Sequence, residues 1–213
     1  MRRRRAARSC AMTIDGPSPD FIRAVQPIVL VGGKSRRFGR DKLLEPWGGD
    51  AGPLVGRPIE TLRAVFGRRV KVVGDCDPRV LRLADGVIAD VYPGVGPIGG
   101  VVSALVAHDG PVFVLAGDMP TCTPETVERV LTAAERSPGA AAVVADSEGL
   151  HPCVALYRPG IRGVLLEGIG CGRHALMAAL GSVSCVAVAC DAASLRNVNT
   201  AADARDAAGT SGS

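Results

Sequence analysis

From residue 27 onward the chain repeats one pattern: a short apolar run, a stretch with helical spacing, then another apolar run. The runs cover residues 27–31, 70–73, 87–89, 112–116, 140–145 and 183–188. They are β-branched and apolar at both phases of a period-two pattern, as strands covered on both faces must be. Between them the spacing predicts helices over 58–66, 98–107, 124–136, 174–180 and 201–207. In the first of these, Ile59, Leu62, Val65 and Phe66 share a face. The third follows Thr123, a good N-cap, and has Pro124 at its first position. This alternation specifies an α/β chain, a three-layer sandwich around a mostly parallel, Rossmann-like sheet.

Composition sets the boundaries. The 213 residues suffice for one sizeable core, and with seven aromatic residues that core must be aliphatic. A mean hydropathy of +0.22 with 22% charged residues excludes global disorder. No apolar run approaches the ~18 residues of a membrane helix. Residues 1–26 have no sustained period and several Pro and Gly breakers, so they are expected to form a poorly ordered arm. Residues 27–208 are expected to form one domain, and 209–213 a flexible tail. Arg2, Arg3, Arg4, Arg5 and Arg8 are not followed by the apolar stretch of a secretory signal; they belong to the arm or lie upstream of a start at Met12.

Those five arginines account for the net charge of +4, because residues 12–213 carry 20 Lys and Arg against 21 Asp and Glu. The body is not basic, and with few rings for base stacking a nucleic-acid partner is not expected. The seven cysteines are odd in number and none is spaced C-x-x-C. His108, His151 and His174 do not complete a zinc spacing. The thiols read as reduced and packed, which suits the cytoplasm. Cys171, between Gly170 and Gly172, has nothing nearby to lower its pKa and receives no role.

In a parallel sheet, ligands bind beyond the carboxyl ends of the strands. Directly after the first run stands Gly32-Gly33-Lys34-Ser35-Arg36-Arg37-Phe38-Gly39-Arg40-Asp41-Lys42. Its glycines let backbone amides approach an anion, and its five cations can neutralise a polyphosphate. It is not a P-loop: Gly33-Lys34-Ser35 matches the motif's end, but Ile28 stands where G-x-x-x-x-G-K-S/T needs its first glycine. Asp90 follows the third run and Asp118 the fourth, each placed where a carboxylate can hold Mg²⁺ beside phosphates. A lone Asp at such a place is more often a turn or cap residue; two beside a basic glycine loop favour a metal–nucleotide site. Gly94, Gly96 and Gly99 match G-x-G-x-x-G, but the match sits several residues past its strand, and the acid that should close it is misplaced.

Together these blocks resemble the MobA-like nucleotidyltransferase family, from about residue 27 to 206. The opening block stands as Leu30-Val31-Gly32-Gly33-Lys34-Ser35-Arg36-Arg37-Phe38-Gly39-Arg40-Asp41-Lys42. It is followed by Pro93-Gly94-Val95-Gly96-Pro97-Ile98-Gly99-Gly100, Gly117-Asp118-Met119-Pro120, His151-Pro152 and Asn197-Val198-Asn199-Thr200. The resemblance implies a Mg²⁺-dependent transfer of GMP from GTP to the phosphate of molybdopterin or its molybdenum-bearing form, releasing pyrophosphate. It implies that Leu30, Val31, Gly32 and Gly33 line the nucleotide, that Lys42 with Arg37 neutralises its phosphates, and that Asp118 ligates the metal. Asp75 is implied near the guanine and Asp90 on the nucleotide, with His151, Asn197 and Asn199 on the molybdopterin side. Molybdoenzymes or their chaperones are implied as recipients of the product. Val31 stands where alanine is usual, which puts a bulkier side chain at the nucleotide end of the strand. Phe38 for methionine and Ile98 for leucine are milder departures. Three other readings stay open: a sibling transferase using CTP or another acceptor phosphate, an NAD-type oxidoreductase, and a non-catalytic nucleotide-binding relative.

Overall fold

The computed structural model describes residues 16–32, 41–47 and 52–198. Gly33, Arg37, Asn199 and the helix expected over 201–207 lie outside them. The strands are β1 (Gln26–Leu30), β2 (Pro46–Trp47), β3 (Gly52–Pro53), β4 (Lys71–Val73), β5 (Gly86–Ile88), β6 (Val112–Ala116), β7 (Ala142–Asp146), β8 (Leu150–Tyr157) and β9 (Cys185–Ala189). The helices are α1 (Pro19–Ala24), α2 (Gly56–Phe66), α3 (Pro78–Leu81), α4 (Pro97–Ala107), α5 (Pro124–Arg136), α6 (Arg162–Gly170) and α7 (Leu176–Leu180). Among the described residues no helix is long and apolar enough to cross a membrane.

Seven strands form one sheet in the order β5-β4-β1-β6-β8-β7-β9; β2 and β3 form a separate small hairpin. In the large sheet every pairing is parallel except those of β8 with β6 and β7. The two faces of the sheet bury separate aliphatic cores, which makes three layers. On one face Ile59, Leu62 and Phe66 of α2 and Val127, Val130 and Leu131 of α5 cover Val29, Val72 and Leu115. The Phe66 and Phe113 rings meet there, with centroids 5.9 Å apart. On the other face Ile98, Val101, Val102 and Leu105 of α4 join Leu165 of α6 and Leu176 and Leu180 of α7 over Ile28, Val73 and Val114.

Helix α1 lies inside the segment that the sequence assigns to an arm. Ser18 caps it, its hydroxyl accepting from Phe21 N at 3.2 Å, and the same residue hydrogen-bonds through N and Oγ to the Glu135 carboxylate. At the other end the Arg69 guanidinium donates to the carbonyls of Ile22, Arg23 and Val25. Residues 18–25 are therefore tied to the domain rather than trailing from it.

Strand β8 departs from the expected run pattern. It opens on Leu150-His151-Pro152, outside the runs read as strands, and is a strand because partners on both sides supply the ladder. Helix α6 carries Gly163, Gly168 and Gly170, residues that weaken helices, yet packing of Leu165 and Gly168 holds it.

The connectivity fixes where a ligand fits. From β1 the chain steps outward to β4 and β5, then returns through α4 to β6 on the opposite side of β1. The order reverses between β1 and β6, which opens a crevice at their carboxyl ends. The start of antiparallel β8 reaches the same edge.

Candidate active site

The crevice floor is backbone. Gly117 N donates to Leu30 O at 2.9 Å, and Val31 N donates to Val73 O at 2.9 Å. These bonds bring the turns after β1, β4 and β6 into direct contact. Gly74 has φ +126°, and a Cβ there would lie 1.6 Å from Val31 O. Gly32 has φ +100°, and a Cβ there would lie 2.7 Å from Asp75 O. Glycine is the residue that meets both demands, a left-handed backbone and no side chain. Gly32 and the Asp75 backbone are thereby set against each other.

Lys42 opens a single 3-10 turn, Lys42–Leu44. Asp41 fixes that turn: its carboxylate accepts from Leu43 N at 3.0 Å and from Asp77 N at 3.1 Å. Lys42 Nζ then reaches Asp118 Oδ2 at 2.8 Å and Val198 O at 3.3 Å. Val198 N in turn donates to Asp118 O at 2.9 Å. The Asp118 turn is anchored by Met119, whose side chain is buried and whose N donates to Ala116 O. The Lys42 and Asp118 side chains are 28% and 24% exposed, open enough to meet a ligand.

Among the described residues no cluster of three or more His, Cys, Asp or Glu could hold a metal. Asp118 is the carboxylate at the switch point, and its described hydrogen-bond donor is Lys42 on Oδ2. That donor set suits a hard cation that keeps water and substrate phosphates as its other ligands, which is the habit of Mg²⁺.

The other expected residues are spread along the same edge. Asp90 is half-buried, and its Oδ1 accepts from Tyr92 N at 3.0 Å and Ser103 Oγ at 3.1 Å. His151 is the second residue of β8, beyond a bulge: Val144 faces Ala155, yet Ala145 faces His151. Its Nε2 lies 2.9 Å from Ser147 Oγ in the β7–β8 turn. The Tyr157 hydroxyl donates to Pro152 O at 2.7 Å and braces the bulge. Asn197 is exposed, one residue from the Val198 backbone that contacts both Asp118 and Lys42.

One expectation is corrected. The Val31 side chain does not face the crevice; it is 5% exposed and packs in the core on the α2 face. What Val31 offers the crevice is backbone, so the replacement of alanine is a packing change.

Several residues here carry no individual signal in the sequence. Gly74 and the Val198 backbone are two, since their roles depend on chain segments far away. Cys153 is a third. Burial pushes its thiol up to about 12, and the negative charge of Asp118 adds to the shift. Cys76, beside the Asp75 turn, is pushed up to about 11 by burial, and then by Asp41, Asp75 and Asp77. Both therefore favour the thiol over the thiolate near neutral pH. The Gly94, Gly96 and Gly99 stretch serves α4: Gly96 caps it, and a Cβ at Gly99 would lie 2.4 Å from Tyr92 O. Hollows of about 340 and 280 Å³ lie beside the β2–β3 hairpin and between α6 and α7, and neither includes the residues of the crevice.

A mostly parallel sheet with a glycine turn and a Lys–Asp pair at its switch point fits an α/β enzyme of the nucleotidyltransferase class. Residues 27–183 match the family model of the MobA-like NTP transferase domain. The chain belongs to that family. It is 38% identical over 152 residues to a Pyrococcus horikoshii protein named probable molybdenum cofactor guanylyltransferase, covering 70% of this chain and 77% of that one. A Thermococcus gammatolerans protein of the same name is 36% identical over 160 residues, covering 73% of this chain and 81% of that one. In structure the chain is similar to molybdopterin-guanine dinucleotide biosynthesis protein A from Archaeoglobus fulgidus. The TM-score is 0.70 and the identity 25%, covering 86% of this chain and 96% of that one.

Proposed function

We propose that this chain transfers GMP from GTP to the phosphate of molybdopterin and releases pyrophosphate. The Lys42–Asp118 pair at the β1/β6 crevice carries the reading, in a chain whose relatives bear the corresponding name. An oxygen of the acceptor phosphate attacks the α-phosphorus of GTP, and the bond from that phosphorus to the β-bridging oxygen breaks. The acceptor is already anionic at neutral pH, so the site needs no strong general base. Catalysis is positioning and charge neutralisation.

Leu30, Val31 and Gly32 offer backbone to the nucleotide, with Gly33 continuing the loop, and Asp75 and Asp90 face the base and ribose. Lys42, with Arg37 as helper, offsets charge on the departing pyrophosphate. Its long stem lets the ammonium swing from Asp118 Oδ2 to a phosphate oxygen. Asp118 is the ligand for a divalent cation, taken to be Mg²⁺. When bound, the cation neutralises α-phosphate charge and favours in-line attack. His151, Asn197 and Asn199 receive the acceptor. The product is a dinucleotide cofactor for molybdoenzymes or their chaperones.

The decisive experiment incubates the protein with Mg²⁺, molybdopterin and either GTP or CTP, and reads the product by mass spectrometry. The guanine dinucleotide is expected from GTP. A cytosine dinucleotide in its place overturns the guanine assignment, and no dinucleotide from either overturns molybdopterin as acceptor.

A further inference from the structure

Helix α4 presents a polar side chain to the crevice edge from inside the apolar layer. Ser103 is 2% exposed, among Ile98, Val101, Val102 and Leu105. A serine there is disfavoured unless its hydroxyl is used. It is used three times: it accepts from Val91 N at 3.0 Å, and its one proton is shared between Gly99 O at 2.8 Å and Asp90 Oδ1 at 3.1 Å. The contact with Gly99 is the back-bond to residue i−4 that helical serines make. The contacts with Val91 and Asp90 are not helical; they bind the end of β5 to α4 across the glycine turn.

The effect on Asp90 is specific. Its Oδ1 takes both described contacts, from Tyr92 N and Ser103 Oγ. Its Oδ2 has no hydrogen-bond partner among the described residues. Tyr92 N and the shared Ser103 proton on one oxygen set the rotamer of the carboxylate and leave the second oxygen to accept from a ligand. A carboxylate that accepts and does not donate selects for ligand N–H or O–H groups.

We infer that Ser103 is a positioning residue for nucleotide recognition. It sets the Asp90 carboxylate so that Oδ2 accepts a hydrogen bond from the base or ribose of the incoming nucleotide. This rests on the reading of Asp90 as a nucleotide contact. Ser103 touches no substrate and acts through Asp90, so its signature is in nucleotide binding.

The test measures GTP affinity by calorimetry, and KM and kcat, for Ser103→Ala, Ser103→Thr, Asp90→Ala and the Ser103→Ala/Asp90→Ala double variant. Thermal unfolding confirms that each is folded. Ser103→Ala is expected to weaken GTP binding about tenfold and raise KM to match, with kcat within about twofold. Ser103→Thr keeps the hydroxyl and restores most of the affinity. In the Asp90→Ala background, Ser103→Ala adds no further loss. If Asp90→Ala weakens GTP while Ser103→Ala leaves affinity unchanged, the positioning role is overturned and the Asp90 reading stands. If the two losses add in full, Ser103 does not act through Asp90 and the inference is overturned. If Asp90→Ala itself leaves GTP affinity unchanged, the Asp90 reading fails and this inference with it. Should Ser103→Ala not fold, Ser103→Cys gives the same comparison with a weaker donor.

Discussion

Lys42 and Asp118 neutralise one another across the crevice at 2.8 Å, and each keeps about a quarter of its side chain exposed. A partly exposed pair of this kind contributes little to stability, ~0–1 kcal/mol. Its removal therefore tests chemistry rather than folding. Asp118→Ala is expected to lower pyrophosphate release by about 10³-fold or more, with the melting temperature nearly unchanged. A folded variant that turns over at a near-normal rate would refute the role of Asp118. Gly74 is the reverse case. Its φ of +126° and the 1.6 Å separation between a Cβ there and Val31 O leave no room for alanine. Gly74→Ala is expected to cost roughly 3 kcal/mol or more, read as a lower urea midpoint, and to misplace the Gly32–Asp75 contact. Lys42 and Asp118 are legible in the sequence because one closes a basic glycine block and the other stands just past a strand end. Gly74 is not, because what it must avoid is the backbone of another strand.

Among the elements, α5 shows local rules at their strongest. Thr123 Oγ1 accepts from Thr126 N at 3.3 Å, Pro124 sits in the first turn, and the helix has the expected bounds. Thr123→Ala is expected to destabilise the protein by about 1 kcal/mol while kcat and KM stay unchanged. A change in kcat would show that α5 couples to the crevice. Strand β8 shows where local rules stop. Its pairings are both antiparallel, a local hairpin with β7 and a non-local ladder with β6, and its bulge is braced by the Tyr157–Pro152 bond. No period in residues 150–157 announces either. The β7–β8 turn holds Glu148 at φ 58°, an uncommon conformation for a residue with a side chain. The resemblance picks out His151-Pro152 as a block, but gives no reason for the residues around it. That reason is tertiary: the bulge lets His151 and Cys153 follow the crevice edge while Val154 keeps its place opposite Leu115.

For the molecule as a whole, several carboxylates titrate lower in the fold than in a free chain. Asp77 is held at about 2 by hydrogen bonds from the Arg79 side chain and backbone. Asp85 is lowered by the Arg63 guanidinium, and Glu135 by the Ser18 hydroxyl. The ordinary values are 3.8 for Asp and 4.5 for Glu. Below those values the unfolded chain binds protons that the folded one does not. The stabilisation is thus complete above about pH 5 and is lost as the pH falls through the folded values, toward about pH 2. Thermal melts across that range are expected to show a steadily falling midpoint; a midpoint that rises on acidification would contradict these contacts. At this scale the sandwich is legible from the alternation of runs. The place of α1 is not, because three carbonyls on Arg69 and the Glu135 carboxylate hold it from outside its own sequence.

The bond between Lys42 and Val198 spans 156 residues of chain. A protein leaves the ribosome amino end first. The glycine turn, Lys42 and Asp118 all emerge while the β8–β9 half is still being made. The peptide that bridges them through Val198 comes last. A translation product that stops short of Val198 keeps the pair but loses its backbone brace. The timing of synthesis thus makes the finished crevice a mark of a chain made through Val198.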